Sequence, residues 1–414
     1  MKKHILVISQ YFFPEQFRIN DMCEEWIARG YKVTVVTGIP NYPIGKFFSG
    51  YGLFKKNKEK YKGIDIVRLP IIPRGNNPIM LALNYFSFVI SGFFWQLFTK
   101  IKADQVFIFE VSPMTQALPG VWYAKRRKLS CFLYVQDLWP ENVEIITGIK
   151  NQKVINTIGK MVDYIYKNCT KIFTTSQSFK NSISKRDISI EKITYWPQYA
   201  EDFYQSLSTK KSFNNKSKNS FNIVFAGNIG SAQGLDILPK AAKILKSKDT
   251  ITRIRFNIIG DGRYKNILIK TVNDYNVGDM FNFIDKQPAE KIPGFMAVND
   301  AAFICLTKSP LFKMTIPAKL QSYMACGIPI IASAGGETSQ IIEEAHAGLT
   351  ASPGDEQKLA EIILEMANKT EKDIVEFGKN AKNYSDLYFN KTILMDQMDE
   401  YFENKKESEE LYNV

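Results

Sequence analysis

Few side chains in this sequence are equipped for acid–base or metal chemistry. Its 414 residues include two histidines, His4 at the head of an apolar run and His346 in a loop before Gly348. Both read as structural, so a histidine triad or a histidine-ligated metal is not expected. The five cysteines lie scattered, mostly in apolar segments, with no CxxC pair, the usage of a reduced protein core. Glycine turns are better represented. Residues 314–342, MTIPAKLQSYMACGIPIIASAGGETSQII, predict a helix that starts after Pro317 and stops at Gly327, then a short buried strand, then a second helix opened by Gly335 and Gly336. Helix N-termini joined through a buried strand offer backbone N–H groups to a phosphate; a plain structural α-β-α unit has the same pattern. The turn GNIGSAQG, from Gly227 through Asn228, Gly230 and Gln233 to Gly234, and the turn Gly260-Asp261-Gly262-Arg263 would let backbone approach a phosphate in the same way, with Arg263 near enough for an anion. A tight turn and an exposed arginine are the alternatives.

The elements that must hold these turns follow an α/β rhythm. His4 to Ser9 and Lys32 to Thr37 are apolar runs separated by one helix, the opening of a doubly wound sheet. Runs beginning at Ile64, Gln105, Cys131, Lys171 and Lys192 predict further strands. Glu110, Asp137 and Glu141 fall at strand C-termini, where open sheets bind ligands; helix capping explains Asp137 and Glu141 equally well. The segment at 206–220, SLSTKKSFNNKSKNS, nearly lacks apolar residues and reads as a linker. Beyond it strands are expected at 221–226, 254–260, 281–285, 300–306 and 328–333. The expected domains are therefore 1–205, then 221–385 after the linker at 206–220, with 386–414 forming an amphipathic helix and charged tail that packs back on the first domain.

Length alone favours two domains. A net charge of +12 favours an anionic partner. Residues 41–62 mix aromatics with lysines, as a solvated loop does, or a loop that touches membrane lipid. The helix expected at 78–98 is nearly apolar all round, which implies deep burial or interfacial docking; Asn84, Ser87, Ser91, Gly92 and Gln96 argue against its crossing a membrane. Lys2 and Lys3 lead into a short apolar run and then polar residues, so no cleaved signal peptide is expected.

In their order and spacing, GNIGSAQG, IIGDGR and KLQSYMACGIPIIASAGGE resemble the retaining GT-B glycosyltransferases of family 4. QYFFPEQFRIND, ARGYKVTVVTGIPNYPIGKF and VQDLWPE look like the bacterial surface-polysaccharide branch of that family, the WbuB/WcaI-like group. The resemblance covers most of the chain. It implies two Rossmann-like domains facing across a cleft, the first binding acceptor and the second binding the nucleotide sugar. It further implies transfer from a UDP-sugar donor, with retention, to a polyprenyl-diphosphate-linked saccharide. No metal or other cofactor is expected, and no DxD pair lies between apolar runs. Electrostatic help for the departing diphosphate then matters more than a nucleophile.

Departures from the family pattern sharpen the site. The family's Arg and Lys in the first glycine turn fall on Asn228 and Gln233. Its glutamate pair falls on Met314 and Ser322, and the glutamate after the double glycine falls on Ser339, with Glu337 two positions earlier. Compensating positive charge is expected from Arg18, at the start of the first long helix, and Lys319, in the helix after Pro317. By the same resemblance the backbone near Lys286 and Gln287 receives the base. The branch implies an N-acetylated deoxysugar such as N-acetylfucosamine, and a cytoplasmic protein peripheral on the inner face of the cell membrane. A GT-B sugar-nucleotide 2-epimerase and a non-catalytic assembly scaffold remain as alternatives. Nucleic-acid binding is not expected, because the basic residues lie in loops without a recognised module.

Overall fold

In the computed structural model, residues 2–75, 77–143, 148–205, 220–248 and 253–403 are described. The chain forms two compact units, one running to Trp196 and resuming at Glu400, the other spanning Pro197–Asp399. The expected linker at 206–220 lies outside the described residues except for Ser220, which opens a strand.

The first unit is an eight-stranded sheet: β1 (His4–Ile8), β2 (Lys32–Gly38), β3 (Lys58–Tyr61), β4 (Ile64–Leu69), β5 (Gln105–Glu110), β6 (Ser130–Val135), β7 (Lys171–Thr174) and β8 (Ile193–Tyr195), in the order β3-β4-β2-β1-β5-β6-β7-β8. Every neighbouring pair is parallel except β3 with β4. Continuous runs such as HILVI and QVFIFE are buried on both faces, as a parallel sheet covered by helices requires. Those helices are α1 (Arg18–Ala28), α2 (Pro78–Phe98), α3 (Leu118–Arg127), α4 (Gln152–Asn168) and α5 (Gln177–Ser184). Strand order reverses between β1 and β5, so the crevice beyond their C-termini is the topological switch point.

Six parallel strands build the second unit: β9 (Ser220–Ala226), β10 (Arg253–Ile259), β11 (Phe281–Ile284), β12 (Ala301–Cys305), β13 (Ile330–Ser333) and β14 (Gly348–Ala351), in the order β11-β10-β9-β12-β13-β14. Here the switch point falls between β9 and β12. Its helices are α6 (Ile237–Ser247), α7 (Lys265–Asp274), α8 (Ile292–Val298), α9 (Ala318–Ala325), α10 (Glu337–Glu344), α11 (Glu356–Ala367) and α12 (Glu371–Tyr388). One core joins Phe225, Phe256 and Phe303 from the sheet to Leu238 of α6 and Ile363 of α11.

Three elements differ from expectation. The segment at 41–62 is not all loop, because β3 pairs antiparallel with β4 and adds an edge strand; its lysines alternate outward and hide the strand signal. β14 is short, with a Gly-Leu-Thr-Ala sequence too weakly apolar to stand out. The helix expected from 386 is divided: α12 ends at Tyr388, Phe389 leaves helical geometry and buries its ring, and Asn390 caps the start of α13 (Lys391–Phe402) through the Ile393 amide at 3.1 Å. Within the first unit, Phe402 packs against Trp26 at 5.5 Å and Phe132 at 5.3 Å.

The two glycine turns of the second unit lie edge to edge. A Cβ on Gly260, whose φ is +145°, would stand 1.9 Å from the Gly227 carbonyl oxygen. Backbone bonds from Gly227 to Ile259 and from Ile229 to Asp261, at 2.9 and 2.8 Å, hold the turns in that contact. Gly260→Ala is therefore expected to destabilise the protein by about 3 kcal/mol, read as a lowered urea midpoint, whereas Gly294→Ala, which faces open space, should shift it far less.

Candidate active site

Around the switch point of the second unit, the C-terminal end of β9 feeds directly into the turn 227–234. Its amides divide into two sets. Those of Gly227, Ile229, Gln233 and Gly234 are committed to backbone carbonyls. Those of Asn228, Gly230, Ser231 and Ala232 make no such bond among the described residues, which leaves a short row of donors at the rim, the arrangement that binds anions.

Lys319 supplies the charge for this row. It lies in the first turn of α9, and its ammonium donates to Oε1 of Gln233 and stands 4.8 Å from the centre of the Phe225 ring. Its Cε is so close beneath the turn that a Cβ on Gly227 would come within 2.5 Å of it. Among the described residues no carboxylate lies within ion-pair distance. Burial lowers its pKa to about 8, opposed only by the nearby Cys305. The Cys305 thiol is itself pushed up to about 12 by burial and donates to the Gly234 carbonyl at 3.2 Å, so it is neutral and holds the turn. The Tyr323 hydroxyl clamps α9 to the end of β9, accepting from the Ala226 amide at 3.0 Å. Gln233, where the family carries a lysine, thus receives an ammonium from another element.

The remaining expected donor residues are disposed unevenly. Asn228 is exposed at the rim and Arg263 is exposed after Gly262. Lys286 is exposed beyond β11 and Gln287 half-buried, its amide donating to the Asp285 carbonyl at 3.1 Å. Pro317 stands at the N-cap of α9. Ser322 is buried and its hydroxyl donates to its own helix at the Ala318 carbonyl, 3.2 Å away, so it faces the helix backbone rather than the rim. Gly335 and Gly336 lead into α10, whose first residue is Glu337. Gly336, at φ +66°, admits no Cβ because the Lys313 carbonyl oxygen would be 1.9 Å from it.

Glu110 and Asp137 meet in the first unit. Glu110 ends β5 fully buried; its Oε2 accepts weakly from the Asp137 amide at 3.4 Å, and its Oε1 has no hydrogen-bond partner among the described residues. Burial, then the neighbouring Asp137 charge, raises its pKa well above the ordinary range. Asp137 accepts from the Ser112 amide at 2.8 Å, and its carboxyl is likewise raised by burial. The pair braces the loops after β5 and β6. Glu141 accepts from the Ser182 hydroxyl at 3.3 Å. Arg18 opens α1, half-buried, and its charge reaches Tyr134.

Sequence reasoning passed over a cluster beyond the ends of β1 and β2. Tyr11 stacks on Phe17 at 5.2 Å, both contact Tyr42, and Arg74 donates to the Tyr11 hydroxyl at 3.1 Å. Glu15 accepts from the Asn41 and Tyr42 amides at 2.7 and 2.6 Å, yet burial pushes its pKa up to about 7. The aromatic density of residues 11–17 and 42 was the available signal.

Two doubly wound, largely parallel sheets are the architecture of the GT-B fold. Residues 208–384 match the family described as Glycosyl transferases group 1, so the second unit carries that domain. Among relatives, the putative colanic acid biosynthesis glycosyl transferase WcaI of Escherichia coli (strain K12) is 25% identical over 359 residues, 82% of this chain and 86% of the relative. The amylovoran biosynthesis glycosyltransferase AmsK of Erwinia amylovora is 27% identical over 182 residues, 44% of each chain. Among solved structures, Anabaena Alr3699/HepE in complex with UDP superposes with a TM-score of 0.69 at 14% identity, over 98% of this chain and 100% of that one.

Two measurements probe these groups. Lys319 loses its proton as pH rises through about 8, so affinity for inorganic pyrophosphate should fall about tenfold between pH 7 and 9 in calorimetric titration, and Lys319→Gln should flatten that dependence. Unfolding should hold more protons than the native state between about 8 and the ordinary lysine value of 10.5, so this group makes stability rise with pH in that window. For Glu110 the native state keeps the proton, and its contribution falls as pH rises above the ordinary 4.5. Glu110→Gln should therefore match or exceed wild-type stability at pH 7 and leave sugar transfer within about threefold, whereas a group acting in the chemistry would cost about 100-fold.

Proposed function

We propose that this glycosyltransferase takes its sugar from a UDP-linked donor and transfers it, with retention at the anomeric carbon, to a polyprenyl-diphosphate-linked saccharide in surface-polysaccharide assembly. The donor sugar we favour is an N-acetylated deoxysugar such as N-acetylfucosamine, and the place of action is the cytoplasmic face of the cell membrane. The observation that carries this reading is the half-buried Lys319 ammonium, set beneath the Gly227 turn with no carboxylate in ion-pair distance among the described residues. A partly desolvated cation next to free amides is a receptor for a diphosphate. HepE, a neighbour in fold, is described in complexes with UDP and with UDP-glucose. The WcaI and AmsK relatives are described in colanic acid and amylovoran biosynthesis, which supports a polysaccharide acceptor.

In this reading the acceptor hydroxyl oxygen forms its bond to the anomeric carbon as the bond from that carbon to the diphosphate oxygen breaks. The hydroxyl proton passes to the departing diphosphate oxygen, and UDP leaves. Negative charge grows on the diphosphate as the bond breaks, so Lys319 and the amides of Asn228, Gly230 and Ser231 stabilise the transition state more than the ground state. Glu337, at the start of α10, is assigned to the ribose hydroxyls in place of the residues that fall on Met314 and Ser322. This reading invokes no metal, because Lys319 and the amide row take its electrostatic role.

A charge-relocation experiment tests the assignment. Lys319→Gln should lower kcat/KM with a UDP-sugar by about 100-fold or more, and adding Gln233→Lys to it should recover at least about tenfold, since the lysine stem then starts where the ammonium now ends. If Lys319→Gln transfers sugar as well as wild type while its melting temperature is unchanged, the lysine has no part in holding the diphosphate.

A further inference from the structure

The long apolar helix α2 carries two opposite faces. Asn84, Ser87, Ser91, Gly92 and Gln96, the residues that interrupt its hydrophobicity, all turn toward the body of the first unit. The Asn84 side chain accepts from Gln10 at 2.8 Å and donates to the Ile72 carbonyl at 2.6 Å. Ser87 accepts from the Ile72 amide, and Ser91 donates to the Pro70 carbonyl. Gly92 lets Pro119 approach until a Cβ would be 2.2 Å from it. Arg126 donates to the carbonyls of Gln96 and Leu97, closing the helix end. The helix is long and apolar enough to cross a membrane, but these attachments from its second turn to its last fasten it lengthwise to the protein. It lies on the unit's surface and does not span.

The opposite face is uninterrupted. Ile79, Phe86, Ile90, Phe94 and Phe98 are 73%, 60%, 57%, 55% and 78% exposed, with Leu83 and Phe93 between them. Their spacing follows one stripe along the whole helix. Ile44, 63% exposed, extends the apolar surface past the helix N-terminus, because the neighbouring Gly45 carbonyl accepts from Gly75 at 2.9 Å and Gly75 packs on Met80 in the first turn.

Charge identifies the occupant. No aspartate or glutamate occurs between Asp65 and Asp104. Lys100 and Lys102 follow the helix, and Lys125, Arg126 and Lys128 are exposed at the end of α3, whose arginine caps α2. A ridge of large apolar side chains with cations at its C-terminal end, on a segment that carries no acidic residue, matches the boundary between acyl chains and anionic headgroups.

We infer that the exposed face of α2 enters the interfacial region of an anionic lipid bilayer, with the helix lying in the membrane plane and the cations at its C-terminal end on the headgroups. This deepens the proposal of a lipid-linked acceptor and rests on it for its purpose, though not for its measurement. The attached face fixes the depth, since only the side chains beyond the polar attachments can leave water, and it holds the C-terminal ends of the first unit's strands at a set height over the surface.

Sedimentation of the full-length protein with phosphatidylcholine vesicles, with and without phosphatidylglycerol, tests this. The wild type should pellet with the anionic vesicles. The exposed-face variant Phe86→Ser/Ile90→Ser/Phe94→Ser should bind at least about tenfold more weakly, with an unchanged melting temperature and an unchanged thermal shift on adding UDP. The inference is overturned if wild type stays in the supernatant, or if the variant pellets equally. Concentration-dependent self-association of the wild type that the same substitutions abolish, without vesicle binding, assigns the face to a second copy and also overturns it. Vesicle binding as expected with no UDP response would leave this inference standing and remove the donor assignment.

Discussion

An ammonium drawn partly out of water, with no carboxylate beside it among the described residues, is costly for a folded protein, and the placement of half-buried Lys319 is hard to account for by packing alone. Its lowered pKa is the direct mark of that cost. The surrounding groups do not relieve it: Gln233 offers a neutral oxygen, Phe225 a ring face, and Cys305 a thiol held neutral by burial. What the site does supply is rigidity. Tyr323 ties the lysine's helix to the strand that feeds the turn, and Gly227 and Gly260 bring two turns into backbone contact. A bound diphosphate would restore the missing counter-charge, and because the cradle is already assembled little reorganisation remains for the moment of reaction.

The sheets explain why such a cradle forms where it does. Parallel strands send their C-termini to one edge, and the reversal of strand order between β9 and β12 leaves a gap there that no crossover covers. The loops after β9 and β10 meet at that edge, so Gly227 and Gly260, distant in sequence, arrive together. The first unit repeats the arrangement between β1 and β5 but fills its edge differently, with buried Glu110, a braced Asp137 and the Tyr11, Phe17 and Tyr42 rings.

Much of this was legible from residues alone, for identifiable reasons. Buried parallel strands announce themselves as unbroken apolar runs, and the glycine turns carry a distinctive pattern, so most strands of both sheets and the positions of the turns were foreseen. β3 was hidden because an edge strand exposed on one face alternates lysines with ordinary residues. The division of the last helix was hidden because Phe389 continues the hydrophobic pattern while leaving helical geometry. Side-chain direction was the harder matter. Ser322 sits at a family position for sugar-nucleotide contact, yet turns back on its own helix, and sequence spacing does not encode that choice. The partnership of Lys319 with Gln233 crosses from one element to another, so neither residue signals it alone.

The helix at 78–98 shows how a correct observation can support an incomplete reading. Its five interrupting residues argue against a membrane span, and they do keep the helix from spanning, since each of them faces the protein. Averaged over the sequence, they also dilute the apolar signal of the other face. Only when the two faces are separated does it become plain that the polar residues and the apolar ones serve different solvents. The same separation explains why burial and docking need not be alternatives. Tyr85 and Phe88 complete a core while Phe86 and Ile90, one or two positions away, remain outside it. A helix built this way sits at a fixed place on the sheet whatever surface its outer face meets, because Asn84 and Gly92 attach it to the loop after β1 and to α3.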